Sequence, residues 1–369
     1  MKSTRWLAAW AAIVISVFAV VSLPVYDVDP FIHFHEPKTE KYYYTLNNQR
    51  SQNDGIIRHF EYDGMLIGTS MTECFKTTDA ERLFGGKFVK ISHSGASFEE
   101  TAQNIDRAFK HNKDLKIVIR GLDMVKFFDD AHTMRTDLGV YPTYLYDENP
   151  FNDIEYLLNG DVINRSWDMK FSGSGTVGIT SFDDYSNYQA TSTFGINAVC
   201  PGGPVIYDPL TEAHLTDEEK ETIRENIEQN VIRPAIEHPE AEFYLFIPPY
   251  SLVWWSDTKC QGNMIRQFEA NEYVAGLLTG YDNIRLFSFN DRTDVTGDIN
   301  NYMDITHYAE WVNTMILEWI ASGEGELTAD NYLERLSRER EILSDFDYAS
   351  LADQPDYEDD YEAARRLGY

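Results

Sequence analysis

Asp63-Gly64-Met65-Leu66-Ile67-Gly68-Thr69-Ser70-Met71-Thr72-Glu73-Cys74-Phe75 is the stretch on which the fold turns. Met65, Leu66 and Ile67 form a short apolar run of strand type, and Gly68 permits a sharp turn after it. Thr69 and Ser70 are small and polar. Thr72 and Glu73 suit the first turn of a helix, which predicts a helix start within a residue or two. Strand, tight turn, serine, helix is a geometry that lifts a hydroxyl clear of the end of a sheet. A helix N-terminus beneath that hydroxyl favours negative charge on it or beside it. The same pattern fits an N-cap serine after an ordinary strand, so its meaning depends on what else the chain brings to that edge.

The neighbouring segments predict an α/β domain. Residues 80–83 read as helix, closed by Gly85-Gly86, and residues 88–91 as a second strand. A turn of small residues, Ser92-His93-Ser94-Gly95-Ala96-Ser97, leads into a helix on which Phe98, Ala102, Ile105 and Phe109 recur at helical spacing. Ser97 and Glu100 stand in capping-box register at its start. Residues 115–121 read as a third strand. Strand and helix alternating at these lengths call for a parallel sheet with right-handed crossovers. Alternation returns at Thr216-Asp217-Glu218-Glu219, a helix start, with strands over 242–247 and 284–289 and helices over 263–278 and 309–320. A charged helix follows over 328–343.

Between these halves the pattern breaks. Residues 124–204 are rich in aromatic, Asp, Asn and Gly residues, with a short helix expected near 153–158. The stretch is too long for a plain loop and reads as a lid-like insertion or a structural excursion. Residues 25–62 show little periodicity and read as an irregular stalk. The domain proper is expected over 63–323, and 324–369 as a charged helix with an acidic tail.

Composition narrows the partners. The 369 residues carry a formal net charge of -30 and are 43% hydrophobic, so a sizeable core is available and nucleic acid would be repelled. Residues 6–23 form an uncharged apolar run, long enough to span a bilayer. Lys2 and Arg5 precede it, which predicts a cytoplasmic N-terminus and an external remainder. A cleaved signal peptide is the competing reading. Against it, the run is long for such a segment and lacks a small-x-small cleavage site. Cys74, Cys200 and Cys260 leave at least one thiol unpaired. Their spacing does not suit a zinc site, and neither a phosphate-binding loop nor a metal-ligand pattern predicts a cofactor.

The chemistry gathers at the carboxyl edge that a parallel sheet presents. Ser70 follows the first strand, and His307 lies after the fifth with Asp304 three residues before it. Imidazole titrates in the range a base needs, and it requires an acceptor on its second nitrogen to fix its tautomer. Asp-x-x-His can meet that need within one turn of chain.

Gly68-Thr69-Ser70, the Gly95 turn and Asp304-Ile305-Thr306-His307 before a terminal helix together resemble the SGNH/GDSL hydrolase superfamily, over roughly residues 60–123 and 215–322. The anchored form is similar to its cell-envelope branches, those of teichoic-acid D-alanylation and polysaccharide O-acetylation. The resemblance implies a flavodoxin-like three-layer α/β/α sandwich, with Ser70 as nucleophile, His307 as base and Asp304 orienting it. The Ser70 and Gly95 amides would face the oxyanion. It also implies an esterase or O-acyltransferase, a cell-surface glycan or acylated envelope polymer as substrate, and a membrane-bound acyltransferase as partner. A non-catalytic assembly component of the same machinery is the alternative.

Two departures stand out. Thr69 replaces the usual Asp of the first block. Gly121-Leu122-Asp123 offers no Asn where the family has an oxyanion donor, and an ionised Asp123 would repel the oxyanion. Arg120 or Asn152 are candidates to complete the set. Tyr144, Tyr146, Phe151, Trp254 and Trp255 are candidates for a sugar-facing platform, with core packing as the competing role for the pair of tryptophans.

Overall fold

The computed structural model describes residues 2–137, 141–173, 175–201, 210–357 and 361–369. The end of the insertion near residue 204, and Glu358, Asp359 and Asp360 of the acidic tail, lie outside the described residues. The chain divides into two compact units: Met1–Glu61 with Thr136–Ser181, and Tyr62–Arg135 with Phe182–Tyr369.

The second unit is a mixed α/β structure built on a six-stranded sheet. Its strands are β1 (Gly64–Gly68), β2 (Phe88–Ser92), β3 (Ile117–Gly121), β4 (Glu242–Ile247), β5 (Ile284–Ser288) and β6 (Glu326–Leu327). They lie in the order β2-β1-β3-β4-β5-β6. The first five are parallel and β6 joins β5 antiparallel. Every residue of β1 and β2 is buried, as parallel strands covered on both faces require. The chain runs from β1 to β2 on one side, then returns to β3 on the other. The order therefore reverses at β1 and opens a crevice at the carboxyl ends of β1 and β3. Met65 pairs with both Val89 and Val118, which places the residues after Gly68 beside Ser92 and the end of β3.

The helices form where capping and periodicity place them. Ser97 and Glu100 close a reciprocal cap on Phe98–His111, and Thr216 and Glu219 do the same for Asp217–Ile227. Gly323, left-handed at φ 78°, ends Glu310–Ser322 at little steric cost. Thr77–Phe84 packs with Glu310–Ser322. Met264–Leu278 packs with Asp217–Ile227 and Tyr332–Asp345. Two such groups with a sheet between them fit a three-layer α/β arrangement.

Ser70 is followed by a single 3-10 turn, Ser70–Thr72, and the next helix begins only at Thr77. The helix expected directly beneath the serine is absent. The buried Lys90 ammonium takes the Glu73 and Phe75 carbonyls at 2.5 and 3.0 Å, acceptors that a continuing helix would need for its own amides.

Residues 25–62 are ordered rather than an irregular stalk. Lys2–Val28 is one helix, of which Thr4–Val28 is long and apolar enough to cross a membrane, with mean hydropathy 2.3. A second helix covers Gln49–His59. Val25, Phe31, Leu145, Tyr156 and Val162 form a core, with Tyr144 and Tyr146 packed against it. Buried Asp29 organises the chain exit: its carboxylate accepts the His33 and Phe34 amides at 2.9 and 2.6 Å and the Tyr156 hydroxyl at 2.7 Å. Residues 136–181 thus belong with the N-terminus and residues 182–201 with the sheet, so the insertion is not one lid.

Candidate active site

Ser70, His307 and Asp304 form a continuous hydrogen-bonded chain. Ser70 Oγ donates to His307 Nε2 at 2.7 Å, and His307 Nδ1 donates to Asp304 Oδ2 at 2.6 Å. The other Asp304 oxygen accepts the Thr306 and His307 amides, each at 2.8 Å. The carboxylate therefore closes a local turn and holds the ring in one tautomer. Burial and these bonds set the charges. Burial opposes the Asp304 charge, but the His307 ring and the two amides outweigh it and hold the carboxyl at about 2. Burial also opposes a charged His307. The Asp304 bond and charge, with Asp123 and Glu73 further off, overcome that and raise the ring above its ordinary value.

The turn carrying Ser70 is pinned from several elements. A Cβ on Gly68 would lie 2.7 Å from Thr72 Cγ2, so only glycine lets the chain pass so closely. Thr72 Oγ1 and Ser92 Oγ share a hydrogen bond at 2.8 Å, fastening the turn to the end of β2. The Asp304–His307 loop is held in turn by Ser251, whose hydroxyl donates to the Ile305 carbonyl at 2.7 Å.

Gly95 sits in the left-handed region at φ 61°, where a side chain would be strained. The Ser70 and Gly95 amides have no acceptor among the described residues. Asp123, after β3, is buried and both its oxygens are taken, one by Thr69 Oγ1 and the other by Tyr250 Oη at 2.6 Å. It is an acceptor that fixes the residue before the serine. Burial pushes its carboxyl upward, against the two hydroxyl bonds.

Four expected substrate contacts are placed elsewhere. Arg120 is buried and spends its guanidinium on the Asn230 carbonyl at 2.6 Å and Thr101 Oγ1 at 2.6 Å, so it is a core cation out of reach of a ligand. Trp255 is wholly buried and stacks on Phe268 at 5.0 Å. Trp254 packs edge-on against it and against Tyr250. Both serve as core, because the helix that follows β4, Leu252–Cys260, turns them inward. Asn152 lies in the N-terminal unit, where its amide donates to Asp147 at 2.6 Å.

Several residues around the triad were not singled out from sequence. The Tyr188 and His307 rings meet at right angles with centroids 5.9 Å apart, and Tyr188 donates to the Tyr308 carbonyl at 2.8 Å. It comes from an aperiodic segment that gave no signal. Tyr250 follows Pro248-Pro249 at the end of β4, a position that itself indicates the carboxyl edge. The three cysteines are free. Cys74 is buried, and burial pushes its thiol up to about 12, which removes it as a nucleophile. Among the described residues no cluster could hold a metal ion.

A scan against protein-family models gives no match, and a search of curated proteins gives none either.

Proposed function

We propose that this chain is a serine esterase or O-acyltransferase of the SGNH type. It is anchored by its N-terminal helix, with the catalytic unit outside the cytoplasm, and acts on acyl esters of a cell-surface polysaccharide or related envelope polymer. The observation that carries the reading is the unbroken chain from Ser70 Oγ through the His307 ring to Asp304. Ser70 attacks the ester carbonyl while His307 Nε2 takes its proton, and Asp304 stabilises the imidazolium that forms. The Ser70 and Gly95 amides bind the oxyanion. His307 then returns the proton to the leaving alkoxide. In the second half-reaction it activates water or a glycan hydroxyl, which takes the acyl group and frees the serine. Lys2 and Arg5, before the apolar run of that helix, support the external placement.

The use of both Asp123 oxygens by Thr69 and Tyr250 leaves no side-chain oxyanion donor at that place. This favours the second reading, a non-catalytic assembly component of an envelope-polymer machine. A serine-directed fluorophosphonate probe and p-nitrophenyl acetate separate the two. Wild type is expected to label and to hydrolyse the ester. Ser70→Ala and His307→Ala each abolish both without unfolding, and the double variant is little worse than either, because such groups act as a unit. A folded wild type that never labels, together with full cellular function in Ser70→Ala, selects the assembly reading.

A further inference from the structure

Protein covers one side of the end of the Lys2–Val28 helix, while Leu23 and Tyr26 there stay exposed. Its described side chains are exposed from Thr4 to Phe18, and Ser22, Pro24, Val25 and Val28 are buried by protein. The uncharged apolar run over residues 6–23 is about 27 Å long at ~1.5 Å per residue, close to the ~30 Å thickness of a bilayer hydrocarbon core. The protein packed on the last turn of this helix therefore begins where the span ends.

That protein carries unusual surface for its place. The helix Ile154–Leu157 buries Tyr156 in the core beside Val25, yet Phe151 is 87% exposed, and Ile154 and Leu158 are about half exposed. Phe151 lies in the turn before this helix and Leu158 caps its end, so exposed apolar side chains stand at both ends of the element that buries Tyr156. Trp167 and Phe171 pair at 5.0 Å with both rings exposed. Between them in the chain, Lys170 is ion-paired to Asp27 on the last turn of the N-terminal helix, which fixes their level. Aromatic rings beside ion pairs such as Arg165–Asp161 and Lys170–Asp27 suit the layer where lipid headgroups meet acyl chains.

We propose that the exposed side chains of Phe151, Ile154 and Leu158 and the exposed Trp167–Phe171 pair form a membrane seat, lying in the interfacial layer of the bilayer that the N-terminal helix crosses. The proposal rests on reading that helix as transmembrane. It does not depend on the chemistry of Ser70. The seat adds a second, lateral attachment that fixes the tilt and rotation of the N-terminal unit on the membrane, which a single helix leaves free.

The test uses the full chain in phosphatidylcholine/phosphatidylglycerol vesicles, with lipids brominated either close to the headgroup or close to the chain end. Fluorescence lost on Trp167→Phe reports Trp167, and fluorescence gained in Phe151→Trp reports position 151. Both are expected to be quenched at least about twofold more by the shallow bromines than by the deep ones, as interfacial rings are. Trp6→Phe and Trp10→Phe report the span separately. Quenching at Trp6 and Trp10 with none at Trp167 or position 151 overturns the seat while leaving the anchor standing. No quenching at any of these positions overturns the transmembrane reading and the seat with it. Shielding of Trp167 that appears only when another membrane protein is present assigns these side chains to a protein partner and overturns the lipid proposal.

Discussion

Tyr308 Oη donates to the Met71 carbonyl at 2.9 Å, so the residue after the imidazole fastens the residue after the serine. Two loops 237 residues apart in sequence are held by a bond that takes no part in proton transfer. Tyr308→Phe removes it and leaves one buried carbonyl unpaired. A loss of about 1–2 kcal/mol is expected, read as a roughly 5–30-fold fall in ester turnover or an equivalent fall in stability. A fall in turnover at unchanged thermal midpoint assigns the bond to positioning, and the reverse assigns it to structure.

The pH dependence follows from the charges around His307. The ring must be neutral to accept the Ser70 proton, and its neighbours hold it above the ordinary value of 6.5. Ester hydrolysis is therefore expected to rise with pH through a midpoint above that value. Asp123→Asn removes a negative charge that favours the imidazolium, so the midpoint moves down. Asp304→Asn moves it down as well and costs about 10²–10⁴-fold in rate, because orientation is lost while the base survives. Profiles of kcat/KM for the three proteins check this. A midpoint unmoved in Asp123→Asn refutes the electrostatic part.

Trp255 is wholly buried and stacked on Phe268. Trp255→Ala is expected to destabilise by about 3–5 kcal/mol, measured by urea unfolding. Binding of glycan fragments by the folded fraction should be unchanged. Weakened binding with unchanged stability would restore the platform role.

Glu339 is buried on the last long helix, accepting the Ser288 hydroxyl at 2.7 Å and an Asn290 amide N–H at 3.1 Å. Burial pushes its carboxyl up to about 7, from 4.5. The folded protein then binds a proton that the unfolded chain releases, so stability falls as pH rises between these values and stays low above them. Glu339→Gln should flatten that slope and raise stability at pH 8 by on the order of 1–3 kcal/mol. Unfolding midpoints at pH 5 and pH 8 decide it: an equal effect at both means that the carboxyl does not titrate in this range.

Much of the frame was legible because it is written in short-range terms. The apolar runs at 65–67, 88–91 and 242–247 became β1, β2 and β4, the Ser97–Glu100 capping box formed as its spacing implied, and the helix expected from Thr216 starts there. The N-terminal unit was not legible. Its core joins Val25 and Phe31 to Leu145, Tyr156 and Val162, and no periodic pattern marks segments that short.

The Asp304–His307 pair was within reach of the sequence, since a carboxylate three residues before an imidazole can bond its Nδ1 and two amides within one turn, as it does. The position of Ser70 just past the end of a strand was also legible in it. That His307 Nε2 meets Ser70, that Thr69 and Tyr250 occupy Asp123, and that Arg120 and Trp255 face the interior are visible only once the chain is folded. The reason is range: a turn is closed by bonds between near neighbours, whereas the residues that meet across a sheet edge are chosen by strand order and helix orientation, which depend on how the whole core packs.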